Sequence, residues 1–76
     1  MNKARREKLS AIIDALSVLH DKIDEVKSEE ESALQNMPES LEGSERYDAM
    51  EEAVDNLSEA MDMFDDVIDL LESAKE

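Results

Sequence analysis

Seventy-six residues with no cysteine, one glycine, one proline and two aromatic side chains allow at most one small domain, held by neither disulfides nor thiolate-bound metal. A formal net charge of −14 sets the chain against nucleic acid and anionic membranes and favours basic partners. No run of 18 apolar residues is present, which excludes a membrane-spanning helix.

Residues 1–6, Met-Asn-Lys-Ala-Arg-Arg, lead into an amphipathic helix and not into a signal-peptide core, so the expected location is the cytoplasm. The charge is unevenly placed: residues 1–28 carry six Lys/Arg against five Asp/Glu, and residues 29–76 carry two against seventeen. The richness in Ala, Leu, Glu, Asp and Lys favours long helices over strands.

The first helix is expected over about residues 3–36. Its apolar residues Leu9, Ile12, Leu16, Leu19, Ile23, Val26 and Ala33 alternate three and four apart, the spacing of a heptad seam. Glu30 alone interrupts the seam; near a loose end its carboxylate reaches water, and as a buried group it would set register or partner choice. Pro38 ends the helix by disfavouring a helical Met37 and removing a backbone donor. A connector over 37–44 follows, in which 38–43 form one short turn and Gly43 is free to go left-handed. Ser44 is the expected N-cap of the second helix, and Glu45 suits the positive end of its dipole.

The second helix is expected over about 45–75, with a seam at Tyr47, Met50, Val54, Leu57, Met61, Phe64, Ile68 and Leu71. Folding the chain about Ser40 pairs Leu9 with Leu71, Ile12 with Ile68, Leu16 with Phe64 and Leu19 with Met61. The same fold pairs Ile23 with Leu57, Val26 with Val54, Glu30 with Met50 and Ala33 with Tyr47. Each pair matches an a with a d position, as antiparallel packing requires. This register brings Arg6 near Glu72, Lys27 near Glu51 and His20 near Ser58. One flank of the second helix, Glu51, Ser58, Asp65 and Glu72, is expected to face solvent.

The other flank is apolar. Ala53, Ala60, Val67 and Ala74, with Met63 and Leu70 beyond, lie beside Ala11, Ala15 and Val18 of the first helix. A two-helix hairpin leaves such a strip uncovered, and exposed strips mark interfaces. The expected fold is therefore an all-α, antiparallel two-helix coiled-coil hairpin that pairs with itself into a four-helix bundle. Its expected homodimer interface is Ala11, Ala15, Val18, Ala60, Met63, Val67, Leu70 and Ala74.

No chemistry-bearing motif accompanies this surface. A di-iron bundle needs Glu-x-x-His, but Ser17 stands three residues before the lone His20. There is no EF-hand loop, phosphate loop or nucleophile elbow, and a hairpin has no concave pocket in which to tune a pKa. A non-catalytic chain without metal or cofactor is expected. One polar pattern stands out on the outer face of the second helix. Asp48, Asp55, Asp62 and Asp69 recur every seven residues, with Glu52, Glu59 and Asp66 on the next row. Six aspartates in one helix are more than helix propensity favours. The face keeps the chain in solution, or else it mimics a nucleic-acid backbone and occupies a basic groove.

The connector carries a resemblance. Asn36-Met37-Pro38-Glu39-Ser40-Leu41-Glu42-Gly43-Ser44-Glu45-Arg46-Tyr47, then Glu51-Glu52-Ala53-Val54-Asp55-Asn56-Leu57, with the opening Asn2-Lys3-Ala4-Arg5-Arg6, resembles small acidic helical-hairpin proteins. Phages, prophages and mobile elements of Gram-positive bacteria encode that group. The resemblance implies a bacterial host cytoplasm and a helical hairpin, and carries no site residue over. Three roles follow as expectations: a self-associating interaction protein, an acidic mimic inhibiting a DNA- or RNA-binding enzyme, or a small subunit docking a foreign helix. Each excludes direct nucleic-acid and membrane binding.

Overall fold

Both helices start on a side-chain cap. In the computed structural model, which describes all 76 residues, the Asn2 side-chain oxygen accepts a 2.9 Å hydrogen bond from the Arg5 amide and opens α1, Lys3–Gln35. The Ser44 hydroxyl accepts one of 3.2 Å from the Tyr47 amide and opens α2, Glu45–Lys75. Each cap satisfies an amide that has no partner within its own first turn. Glu45 and Asp48 in the first turn of α2 and Lys75 in its last turn complement the helix dipole.

The connector is built as its residues require. The Asn36 amide donates to the Ser32 carbonyl at 3.1 Å, closing α1 one residue earlier than expected. Pro38 then turns the chain extended, at φ −60 and ψ 144. A single 3₁₀ turn, Glu39–Leu41, follows, and Gly43 takes φ +82, where a side chain would be strained. The Ser44 amide donates to the Leu41 carbonyl at 3.1 Å and seats the second cap.

The two helices pack against each other as a hairpin, 59 Å long and only 15 by 12 Å across. Its radius of gyration, 17.4 Å, far exceeds the roughly 11 Å of a compact chain this long. The α2 seam lies where its spacing places it: Tyr47, Met50, Val54, Leu57, Met61, Phe64, Ile68 and Leu71 are all half-buried.

The α1 seam is rotated from the expected one. Leu9, Leu16, Ile23 and Glu30 turn inward, but their companions are Ile13, His20, Lys27 and Leu34. Ile12, Leu19 and Val26, expected in the seam, are 47, 48 and 51 % exposed, and Ala33 is exposed as well. The cause is the width of the apolar stripe on α1. Ala11, Ile12, Ile13, Ala15, Leu16, Val18 and Leu19 cover more of the helix circumference than one neighbour can hide. The neighbour takes one edge, where His20 and Lys27 cover the seam with their stems and keep their polar heads near water. The other edge is left bare.

The flanking charges differ from expectation in consequence. His20 Nε2 lies 3.3 Å from Asp65, one heptad beyond Ser58, and this is the one contact between ionisable side chains that crosses between the helices. Lys27 pairs with Glu31 in its own helix at 3.5 Å, not with Glu51. Glu72 pairs with Lys75 at 3.4 Å, and Arg6 forms no ion pair. Of the flank expected to face solvent, Glu51, Asp65 and Glu72 do so and Ser58 is half-buried. Pairs within one helix are near neighbours whatever the tertiary packing, so they form at little entropic cost. Glu30 is half-exposed, with no orphaned buried atom.

With 22 acidic against eight basic side chains and so few ion pairs, repulsion opposes the fold. Raising salt from about 0.01 to about 1 M shortens the screening length from about 30 to about 3 Å. The melting temperature is expected to rise over that range; a fall would show that attraction between charges dominates.

Candidate interaction surface

Only one residue of the 76, Ile13, is buried. The accessible surface is 5670 Å², against about 4,700 Å² for a compact chain of this mass. The excess follows from the rod shape, 59 Å long and 15 by 12 Å across. Large apolar side chains left exposed on the helices are Ile12, Val18, Leu19 and Val26 of α1 and Met63, Val67 and Leu70 of α2, from 45 to 71 % exposed.

Two observations put six of these residues on a common face. The His20–Asp65 contact fixes which flanks meet on one side of the hairpin, and Ile12, Leu19, Val26, Met63, Val67 and Leu70 occupy helical positions toward the other, while Val18 points away from α2 on the back of α1. On their own side a groove of about 300 Å³ runs between the helices, lined by Leu19, Lys22, Ile23 and Val26 with Leu57 and Phe64. Lys22 is its only charged residue. Between Ala49 and Ala74, the rows of α2 that border this face read Ala49, Ala53, Asn56, Ala60, Met63, Val67, Leu70 and Ala74. α2 holds eleven carboxylates, and none falls on those rows.

Of the interface residues expected from sequence, Ala11, Ala15, Val18, Met63, Val67, Leu70 and Ala74 are exposed and Ala60 is half-buried. Sequence reasoning missed Ile12, Leu19 and Val26 because heptad spacing assigned them to the intramolecular seam. The adjacent pairs Ile12-Ile13 and Val18-Leu19 held the signal, since neighbouring apolar residues 100° apart on a helix serve two contacts and not one.

The opposite, acidic face is open. Asp48, Glu52, Asp55, Glu59, Asp62, Asp66 and Asp69 are all exposed, and none takes part in an ion pair. Where α2 begins, partial burial and then the carboxylates of Glu51, Glu42 and Asp48 push the Tyr47 phenol above the ordinary tyrosine value. The folded value is raised, so the stability that the neutral phenol contributes is full below the unfolded value of about 10 and is lost as pH rises through the folded one. Phenolate absorbance should therefore appear at higher pH in the folded protein than in urea, and coincident titrations would contradict this.

No three His, Cys, Asp or Glu side chains converge as metal ligands, and neither helix is long and apolar enough to cross a membrane. Comparison with protein-family models, curated proteins and solved structures gave no match to the chain.

Proposed function

We propose that this chain is a non-catalytic helical interaction protein whose bare apolar face binds a second copy of itself, closing a four-helix bundle. One observation carries the reading: a hairpin with a single buried residue leaves seven large apolar side chains of its helices exposed, six of them along one side. A chain this small folds only marginally on its own core. A monomer rarely exposes a large contiguous apolar patch. A second copy is always present and brings a face of matching length and character. The connector's resemblance to small phage and mobile-element proteins supports a role in such an element, in the host cytoplasm.

Light scattering on the purified protein tests the reading, with twice the 8.6 kDa chain mass expected. A folded monomer would overturn it. A chain that folds only with an added foreign helix would favour a subunit role instead.

The acidic face supports a second reading, because its seven carboxylates are exposed and free of ion pairs. As a nucleic-acid mimic, the array would engage a basic protein groove and release it as salt rises. Competition with DNA for a nucleic-acid enzyme, lost in the triple variant Asp55→Asn, Asp62→Asn, Asp69→Asn, would support it. Undiminished competition by the triple variant would reject it.

A further inference from the structure

We infer that the two hairpins dock antiparallel, with the chain ends of one copy beside the connector end of the other. The inference rests on the homodimer reading above and goes beyond it by fixing the two-fold axis. In this arrangement α1 lies over α1 of the second copy and α2 over α2. Were the axis to run along the hairpin instead, α1 would lie over α2.

The charges on the apolar face separate these options. On α1 the face begins with Arg5 and Lys8, carries Lys22 at its middle and ends with Glu29, and none of the four is ion-paired. The α2 rows beside them carry no charge between Ala49 and Ala74. Docking α1 over α2 would set Glu29 beside uncharged residues such as Ala53 and Asn56 of the second copy, which offer it no cation. Docking α1 over α1 about Leu19 brings Ile12 to Val26 of the second copy and Lys8 to the level of Glu29. A buried carboxylate without a partner is costly, and a paired one is tolerated.

The helices agree on where the axis passes. Centring α2 on Met63 sets Ala60 against Val67 and Asn56 against Leu70 of the second copy. The His20–Asp65 contact puts Leu19 and Met63 near one level of the hairpin, so one axis serves both helix pairs. End charges point the same way. Residues 1–8 with 69–76 carry five basic and four acidic side chains, whereas residues 29–52 carry nine acidic and one basic. Parallel docking stacks the two acidic ends on each other. Antiparallel docking sets each beside a nearly neutral end.

The test is a spin label on Ser40→Cys, in the exposed 3₁₀ turn, with pulsed dipolar distance measurement between copies. Leu19 to Gln35 spans about 24 Å at 1.5 Å per residue, so antiparallel docking places the labels about 50 Å apart or farther. Parallel docking places them about two helix diameters apart, on the order of 20 Å. The long distance is expected. A dimer with the short distance overturns the antiparallel axis and leaves the homodimer standing, whereas a labelled chain of monomer mass with no dipolar signal overturns the homodimer itself.

Discussion

Val67→Asp is expected to convert the protein from a dimer to a monomer with much reduced helix content. Val67 is 45 % exposed in the hairpin, so the aspartate disturbs little within one copy. In the proposed dimer it would lie at the centre of the apolar face, near Ala60 of the second copy. An unpartnered carboxylate there costs about 2 kcal/mol or more. Two-fold symmetry counts it twice, so association weakens by roughly 4 kcal/mol, about a thousandfold in Kd. A hairpin with one buried residue has little to hold it once released, and its helices should fray. Light scattering with circular dichroism reads both effects. A variant that stays dimeric and helical at micromolar concentration would place the interface elsewhere.

Ile13→Ala tests the other side of the account. Ile13 is 7 % exposed, the most enclosed side chain in the molecule, and Ile→Ala at a packed site costs about 3 kcal/mol. Each dimer contains two such sites, so the denaturant midpoint should fall sharply with no change in the folded mass. A loss below about 1 kcal/mol per chain would mean that α1 is not rotated toward α2 as described.

These two residues also mark how far the sequence could be read. The hairpin, the Ser44 cap, the left-handed Gly43 and the whole α2 seam were legible, because each follows from local chemistry or from an unambiguous period. On α2 the apolar residues form one seam and the carboxylates fill the outer face, so one orientation suits both. On α1 two overlapping stripes share Leu9, Leu16 and Ile23, one completed by Ile12 and Leu19 and the other by Ile13 and His20. Heptad spacing favours the more apolar stripe for the intramolecular contact. In the fold the mixed stripe meets α2 and the more apolar one is left facing out. That arrangement makes sense if the better stripe is reserved for a larger contact. Period alone cannot rank two apolar edges of one helix, since the ranking depends on what else will cover them.

The same logic separates the faces of α2. The eleven carboxylates make one side acidic, and their absence from the rows of Ala53, Ala60 and Val67 leaves the other apolar. So strict a segregation was visible in the sequence, and the structure adds that α1 extends the apolar side with Ile12, Leu19 and Val26. Distances between copies depend on the docking axis, which local pattern does not encode.

The central claim is that this hairpin acquires its core from a second copy. Thermal unfolding followed by circular dichroism over about a hundredfold range of protein concentration tests it most directly. Coupled folding and association predicts a melting temperature that climbs with concentration, by roughly 10 °C over that range. A melting temperature that does not move with concentration, at the mass of a single chain, would contradict it.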